Sequence, residues 1–267
     1  MPLILPANTL VPTVTYDVDN SCRFNQATGA YLTRTLGTPT NADRFTLSMW
    51  IKRGTLTINS GEYPLCCAGA DSSNGDLILF RSGGYLEWQM WHGGATAFYK
   101  TNRSFHDTAA WYHLVFTYDS GNATAGDRMK IYVNGTEETS FSTETDVAQN
   151  TNSYINSANA HGIGDDGGTD LVGGTKHFDG YMAEVVLCDG QAYAASDFGE
   201  FDSRSPTIWK PKDVSELTFG DNGFYLDFKD SDNLGDDESG NSLDFTETNI
   251  DATDQATDTP TNNFAVL

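Results

Sequence analysis

The sequence predicts an all-β protein built as a sandwich of antiparallel strands, and three observations support this prediction. Glycine is frequent, with 26 residues among 267, and aromatic residues make up 12% of the chain while charged residues make up only 19%. Short apolar runs alternate with turn-forming Ser, Thr, Asn and Asp, a composition typical of strands joined by turns. No apolar run approaches the roughly 20 residues that a membrane-spanning helix needs. The length suits one large all-β domain or two small ones.

The clearest unit is the stretch of residues 111–139, whose pattern predicts strand, loop, strand, tight turn and strand. Asn134-Gly135 supplies the two positive-φ residues that a two-residue hairpin turn requires. A unit of this kind must bury one face against a second sheet, so a sandwich is expected around it. Apolar residues alternate with others along its first two strands: Tyr112, Leu114, Phe116 and Tyr118, then Met129, Ile131 and Val133.

Other segments share the two-residue alternation of a half-buried strand. The clearest is RFTLSMWIKR, at residues 44–53. Residues 192–201 instead predict one short helix anchored by Phe198 and Phe201. The polar stretch 139–159 shows no periodicity and predicts no element. Strands are predicted over residues 22–25, 30–36, 44–53, 64–70, 76–80, 85–91, 95–100, 177–189, 223–228 and 242–246.

The charge distribution excludes some classes of partner. The formal net charge is −22, from 37 acidic and 15 basic residues. Nucleic-acid binding is not expected, because phosphate contacts need a basic surface. Residues 213–267 hold 14 acids and one base, Lys229, so the negative charge is concentrated at the C-terminal end. Solubility is the simplest interpretation; cation binding and adaptation to a salty medium are the alternatives.

The N-terminal residues 1–20 predict an extended docking arm. Three prolines keep this segment extended, and it lacks the basic start, long apolar core and cleavage site of a signal peptide. We therefore expect synthesis in a cytoplasm without secretion or membrane insertion. The arm has too many apolar residues for a free solvated tail, and we expect it to dock on its own domain or on a neighbouring subunit. The candidate docking residues are Leu3, Ile4, Leu5, Leu10 and Val11.

Three segments resemble signature strands of laminin-G-like, concanavalin-A-like jelly-roll domains. They are, in the order of that family, RFTLSMWIKRG, WYHLVFTYDSGNATAGDRMKIYVNGTEET and FDGYMAEVVLCDGQAY. The resemblance implies a jelly roll of two antiparallel sheets over residues 21–250, a fold often used to bind glycans. Residues 214–250 would complete or extend this sandwich, and residues 251–267 would form a polar tail.

The C-terminal part resembles virion-associated proteins of tailed bacteriophages. The segments that carry this resemblance are DGQAYAASDFGEFD, then W-K-P, then NGFYLDFKDSDNLGDDESGNSLDFT, then TDTPTNNF. It implies a structural protein displayed on the virion, such as a decoration, fibre or appendage component. Its partners would be other virion proteins and further copies of this chain, with a trimer favoured.

The densest aromatic and polar cluster suggests a glycan site. Trp88 and Trp91 are an odd number of residues apart, so they face opposite sides of one strand. One of them must be core and the other exposed. Sugar sites set a ring for stacking beside amide or carboxylate groups. Trp91, His92, Tyr99 and Asn102 are therefore the candidate glycan patch, with core or subunit-interface packing as the alternative.

Clustered carboxylates suggest a calcium site, because Ca²⁺ takes carboxylate and carbonyl oxygens as ligands. The spacing of this cluster departs from the EF-hand pattern, and a solvated acidic turn is the alternative. The loop at residues 165–170 is a second candidate. The first cluster consists of Asp230, Asp232, Asp236, Asp237 and Glu238.

No motif predicts catalysis, and we expect no enzymatic activity. The nearest match to the E-x-D-x-(x)-E strand of glucanases begins with Glu144 and Asp146 and lacks the last acid. His113 lies inside a predicted strand, which favours a structural role. The sequence thus predicts a phage virion structural protein that also binds host-surface glycans as a secondary role. The alternative is a stand-alone lectin-type carbohydrate-binding module, and the third candidate is a glycoside hydrolase.

Overall fold

The computed structural model describes residues 16–56, 62–71, 73–165 and 176–262. The predicted docking residues Leu3, Ile4, Leu5, Leu10 and Val11 lie outside these ranges. Within them the chain forms eighteen strands: β1 (Ser21–Phe24), β2 (Tyr31–Thr35), β3 (Arg44–Arg53), β4 (Glu62–Asp71), β5 (Asn74–Arg81), β6 (Tyr85–His92), β7 (Ala95–Ser104), β8 (Trp111–Asp119), β9 (Met129–Val133), β10 (Thr136–Glu137), β11 (Phe141–Thr145), β12 (Ala160–Ile163), β13 (Gly180–Asp189), β14 (Gly199–Phe201), β15 (Trp209–Pro211), β16 (Phe224–Leu226), β17 (Thr246–Thr248) and β18 (Gln255–Ala256).

Helical structure in the described part of the chain is limited to short 3₁₀ turns. No helix in the described ranges has the length and apolar character to span a membrane. The 3₁₀ turns are Ala125–Asp127, Ala195–Asp197 and Ala252–Asp254.

Two large antiparallel sheets form the sandwich. Sheet A has the order β10-β9-β8-β3-β13-β1-β18, and β16 pairs with β13 beside β1. Sheet B has the order β11-β7-β6-β5-β4-β12-β2-β17, and β14 pairs with β15 in a separate small ribbon. The predicted all-β sandwich of two antiparallel sheets is therefore confirmed. The three strands that carry the sequence signature, β3, β8 and β13, are neighbours in the middle of sheet A.

The predicted hairpin unit is present in sheet A. Strands β8 and β9 pair antiparallel, with Phe116 opposite Ile131. The turn between β9 and β10 has φ angles of 48° at Asn134 and 76° at Gly135, as a two-residue hairpin of this type requires. The alternation seen in the sequence thus corresponds to one face of the sheet that points into the core.

The core between the sheets is centred on Trp88, which is fully buried. Its ring contacts rings of sheet A edge-on, with centroid distances of 5.6 Å to Phe116 and 6.2 Å to Phe45. Tyr118 adds a tilted contact at 6.2 Å. Aromatic pairs in these geometries stabilise a core beyond the area that they bury. Of the two tryptophans on β6, Trp88 is therefore the core residue.

A second apolar layer covers the outer face of sheet A. The ring of His113 is fully buried there and stacks on Trp50 at a centroid distance of 4.6 Å. Trp209 Nε1 donates to His113 Nδ1 at 2.9 Å. The imidazole proton consequently lies on Nε2, which is 2.8 Å from Ser48 Oγ. These contacts fasten the β14–β15 ribbon to the sheet.

The predicted helix over residues 192–201 is wrong. Only Ala195–Asp197 forms a 3₁₀ turn, after which Gly199–Phe201 is strand β14. A Cβ atom at Gly199 would lie 2.6 Å from the Trp209 ring, so this backbone passes against the indole. Phe198 is buried as expected, but Phe201 is 47% exposed. Pairing with β15 therefore replaces the local helical pattern.

Two other element predictions need correction. The strand expected over residues 242–246 lies at Thr246–Thr248, because Ser242 has a φ of 58° and breaks the extended backbone. The stretch 139–159, for which no element was predicted, contains β11. The C-terminal strands join both sheets, since β16 pairs with β13, β17 with β2 and β18 with β1.

The burial of His113 predicts a pH dependence of stability. Burial lowers the pKa of His113 to about 3, whereas an unfolded histidine titrates near 6.5. Below pH ~6.5 the unfolded chain therefore binds a proton that the folded chain does not, so stability is lost as the pH falls from ~6.5 toward 3. His113→Gln should reduce the slope of the unfolding free energy between pH 4 and 6 by about 1.4 kcal/mol per pH unit.

Urea denaturation across that pH range measures this slope. His106→Gln, at an exposed histidine, is the control and should leave the slope unchanged. An unchanged slope in His113→Gln would show that the imidazole is not kept neutral by the fold.

Candidate functional site

An open cleft lies at one end of sheet B, where β6 meets the loop between β11 and β12. Its volume is about 420 Å³. Side-chain amides and hydroxyls predominate in its wall, accompanied by one phenol and one imidazole. The residues lining it are His92, Asn150, Asn152, Ser153, Tyr154, Ser157 and Asn159.

The buried carboxylate of Asp76 on β5 holds one side of this cleft in place. Asp76 is fully buried and accepts hydrogen bonds from the N–H groups of Tyr154 at 2.6 Å and Ile155 at 3.3 Å. The Ser153 hydroxyl donates to the same oxygen. The second Asp76 oxygen lies 3.1 Å from His92 Nε2. One carboxylate therefore positions both walls of the cleft.

Asn156 holds the other end of the loop. It has a φ of 71°, and its side-chain amide donates to Asn41 O at 3.0 Å and to Asp189 Oδ1 at 2.8 Å. Its N–H donates to His161 Nε2 at 3.3 Å. Burial lowers the pKa of His161 to about 4, so this nitrogen stays an acceptor at neutral pH. The loop is thus preformed by buried hydrogen bonds.

The two rings of the cleft touch each other. His92 meets Tyr154 edge to face, with a centroid distance of 4.8 Å and an interplanar angle of 88°. Burial, followed by the charges of Asp76 and Asp71, raises the pKa of the Tyr154 phenol. The phenol is therefore a neutral hydroxyl that can donate and accept hydrogen bonds. Asn152 is exposed on the loop beside it.

The structure does not bring the predicted glycan patch together. Trp91 is 40% exposed and lies on the outer face of sheet B, with Nε1 donating to Gln89 Oε1 at 3.1 Å. Tyr99 is 2% exposed and pairs across the strands with Trp88, so it points inward. The phenol of Tyr99 also donates to the carboxylate of Asp146, one of the acids of the glucanase-like match.

Asn102 is exposed, and its amide donates to Ser140 Oγ at 3.0 Å. It follows Ala95, the cross-strand partner of Trp91, by seven residues along β7, which places it roughly 20 Å away. Of the four predicted residues, only His92 lines the cleft.

The structure also does not assemble the predicted calcium site. No group of three or more His, Cys, Asp or Glu residues in the described part of the chain is arranged to hold a metal ion. The Asp237 carboxylate accepts from the N–H groups of Tyr225 and Leu243, both at 2.8 Å, so it serves as an internal loop anchor. Asp230 Oδ1 accepts from the N–H of Asp232 at 2.9 Å. These acids shape a turn.

The other acids of this cluster repel one another. Burial raises the pKa of Asp236, and the charge of Asp227 raises the pKa of Glu238.

In the second candidate loop, Asp165 Oδ1 lies 3.1 Å from His177 Nδ1, and residues 166–170 fall outside the described ranges.

Six residues of the cleft, all except His92, were missed by sequence reasoning. They lie in the stretch 139–159, whose lack of periodicity gave no element to place them on. A signal was nonetheless present: the segment NTNSYINSAN combines amides and hydroxyls with one tyrosine. Composition of this kind suits sugar recognition, but its position beside β6 depends on Asp76, which is more than 70 residues earlier in the chain.

Comparison with known families agrees with this architecture. A model of the Laminin_G_3 family, described as the concanavalin A-like lectin/glucanases superfamily, matches residues 25–195. The chain belongs to this family. The resemblance seen in the signature strands is confirmed, whereas the phage virion type within the family stays a prediction. No curated protein matches this Laminin_G_3 chain.

Solved structures with the same fold include a Bacteroides ovatus protein for which carbohydrate binding has been proposed. The TM-score is 0.60 at 16% identity, and the match covers 91% of this chain and 60% of that one, so this Laminin_G_3 chain spans less than two thirds of that protein. A heptameric SAP-like pentraxin from Limulus polyphemus gives a TM-score of 0.44 at 18% identity, over 65% and 77% of the two chains. Domains LG4-5 of the mouse laminin alpha1 chain give 0.46 at 13% identity, over 66% and 43%.

Removing the Asp76 carboxylate tests how the cleft is built. Asp76→Ala leaves two backbone N–H groups and one hydroxyl without their acceptor. The free energy of unfolding should therefore fall by about 2–4 kcal/mol. Amide exchange at residues 153–155 should accelerate more than the global change accounts for. Chemical denaturation and hydrogen–deuterium exchange measure the two effects.

Asp71→Ala is the matched control, because Asp71 is an exposed acid on the adjoining β4–β5 hairpin. It should cost less than about 1 kcal/mol. Equal effects of the two substitutions would mean that the Asp76 contacts do not hold the loop.

Proposed function

We propose that this chain is a carbohydrate-binding module of the lectin type, and that the cleft formed by His92 and the 150–159 loop is its sugar site. The observation that carries the proposal is a preformed cleft whose wall is made of amides, hydroxyls and two rings. Membership of a lectin and glucanase superfamily supports it, as does the likeness to the Bacteroides ovatus protein. The alternative function inferred from the sequence thus becomes the main one.

The chemistry of the cleft suits a sugar. A side-chain amide offers a donor and an acceptor side by side, which matches neighbouring hydroxyls on a pyranose ring. The Tyr154 ring offers an apolar surface for sugar C–H groups. Because Asp76 and Asn156 already hold the loop, binding does not have to order it. The volume of about 420 Å³ suits a short oligosaccharide or the end of a longer chain.

Binding is favoured over hydrolysis by the same wall. Glycoside hydrolysis uses two carboxylates that flank the bond to be cleaved. None of the seven described lining residues is an acid. Asp76 lies behind the wall and has its oxygens occupied by internal contacts.

For the biological setting we propose display on a tailed-phage particle, where the module would contact host-surface glycans. The support is the sequence resemblance of the C-terminal segments to virion proteins. Other virion proteins and further copies of the chain, with a trimer favoured, are the expected partners. Detection of the protein in purified particles by mass spectrometry tests the setting independently of sugar binding.

Substitutions of single asparagines test the cleft. Asn152→Ala removes an exposed amide from the cleft wall and should weaken binding to glycans selected on a microarray at least tenfold, measured by titration calorimetry. Asn102→Ala removes another exposed amide, near the far end of β7, and should change affinity less than twofold.

Trp91→Ala distinguishes the cleft from the outer face of sheet B and should also bind normally. If Trp91→Ala abolishes binding while Asn152→Ala does not, the sugar site is on the outer face. If the unmodified chain binds no glycan on the array, the proposed function is wrong.

A further inference from the structure

We infer that the cleft selects uncharged or amine-bearing sugars and excludes carboxylated and sulfated ones; this inference rests on the proposed function. No lysine or arginine is among the described residues of its wall. Among the described lining residues, His92 alone can carry a positive charge, and its Nε2 lies 3.1 Å from the buried carboxylate of Asp76. A protonated His92 is therefore already paired and offers no free charge to an anion.

A second carboxylate stands near the cleft. Asp71 ends β4, and its side chain accepts from the N–H of Ser73 at 2.8 Å and from the Asn74 amide at 2.9 Å. These hydrogen bonds lower the pKa of Asp71, so it stays ionised over the working pH range. The charges of Asp71 and Asp76 both act on the phenol of Tyr154. These local charges therefore disfavour an anionic ligand, and the net charge of −22 disfavours it as well.

Matched sugar triplets test this selectivity. Glucose, glucosamine and glucuronic acid, together with the corresponding galactose series, are presented as oligosaccharides to the full chain at low and high salt. The neutral or amine-bearing member should bind at least fivefold more tightly than the acidic member. The ratio of the two affinities should fall by about twofold in Asp71→Asn, which removes the charge of Asp71, and in high salt, which screens it.

The outcomes separate the two proposals. Equal or tighter binding of the acidic members overturns the selectivity and leaves the sugar site standing. A gap that Asp71→Asn does not change overturns its electrostatic cause. If no member of any triplet binds, the proposed function itself fails.

A second inference concerns Glu184, which lies in an unusual position on β13. Strands β1 and β16 both pair with the same edge of β13 and meet between Met182 and Val185. On the opposite edge, the register of β13 against β3 shifts between Ala183 and Val186. Glu184 lies in this bulge with a φ of 49° and is only 5% exposed. A left-handed backbone is costly for a residue with a Cβ atom and persists only where the surroundings impose it.

Two tyrosines close over the Glu184 carboxyl. Tyr16 and Tyr225 both donate to Oε2, at 2.8 and 2.9 Å. Burial, together with the charges of Asp227 and Asp213, raises the pKa of Glu184 to about 7, although the two tyrosine hydrogen bonds oppose the shift. A cavity of about 150 Å³ adjoins the carboxyl, and its charged lining residues besides Glu184 are Asp17, Asp19, Asp227 and Lys229.

We propose that Glu184 is a proton-dependent latch that holds residues 16–20 against sheet A. The neutral carboxyl accepts both tyrosine hydrogen bonds without a buried charge. The charges of Asp213 and Asp227 disfavour the ionised carboxylate, and Lys229 is the one base beside Asp17, Asp19 and Asp227 among the described residues that line the adjoining cavity. The folded state therefore retains a proton that the unfolded chain releases near pH 4.5, and stability is lost as the pH rises from there to about 7.

Hydrogen–deuterium exchange of the Val18 amide tests the latch, because this amide donates to Thr261 Oγ1 at 2.9 Å within the same segment. After correction for intrinsic rates, its protection should fall about tenfold between pH 5 and 8.5. Glu184→Gln keeps the size of the side chain and should remove the pH dependence, whereas Tyr16→Phe should reduce protection at both pH values.

Asp227→Asn provides a second variant that leaves Glu184 in place. Because the Asp227 charge raises the pKa of Glu184, its removal should move the midpoint of the loss to lower pH. Equal protection of the unmodified chain at the two pH values would overturn the proposal. So would a midpoint that does not move in Asp227→Asn.

Discussion

The buried carboxylate of Asp76 is the interaction on which the cleft depends. A carboxylate removed from water must be satisfied by donors, and those available come from the loop over which it lies. Once Ser153, Tyr154 and Ile155 donate to it, the loop cannot move away without leaving both the acid and its own N–H groups unpaired. The same carboxylate orients His92. The apolar sandwich thus fixes a polar surface through one buried group.

The outer face of sheet A serves the scaffold. The outer face of sheet A is covered by the β14–β15 ribbon and by the segment that begins at Tyr16, so its middle strands are buried on both sides. Its strands therefore carry nearly continuous apolar runs, as β13 does. Covered faces serve the scaffold and leave recognition to loops at the ends of strands. The cleft lies at such an end of sheet B, beside a strand whose Trp88 fills the core.

Two kinds of buried ionisable group act on stability in opposite directions. His113 and His161 are kept neutral by burial, and each disfavours folding as the pH falls. Glu184 is kept neutral by burial as well, but it disfavours folding as the pH rises. For these three groups taken together, stability falls on both sides of an optimum near neutral pH. The left-handed backbone of Glu184 marks the point where two strands share one edge of β13.

The sequence by itself determined the class of fold and its main strands. Alternation predicted β3 at residues 44–53, because side chains two residues apart face the same way along any strand. The Asn134-Gly135 pair predicted the hairpin turn, and the resemblance of three signature segments predicted the family. Tertiary structure decided the site. Tyr99 faces inward because of its register against Trp88, and the position of residues 150–159 depends on Asp76. Neither the direction of Tyr99 nor the position of the loop is a local property of the sequence. The position of this polar loop is set by hydrogen bonds from its N–H groups to the buried Asp76 carboxylate. Asp76 is distant in the sequence, so only folding brings the acceptor and the donors together.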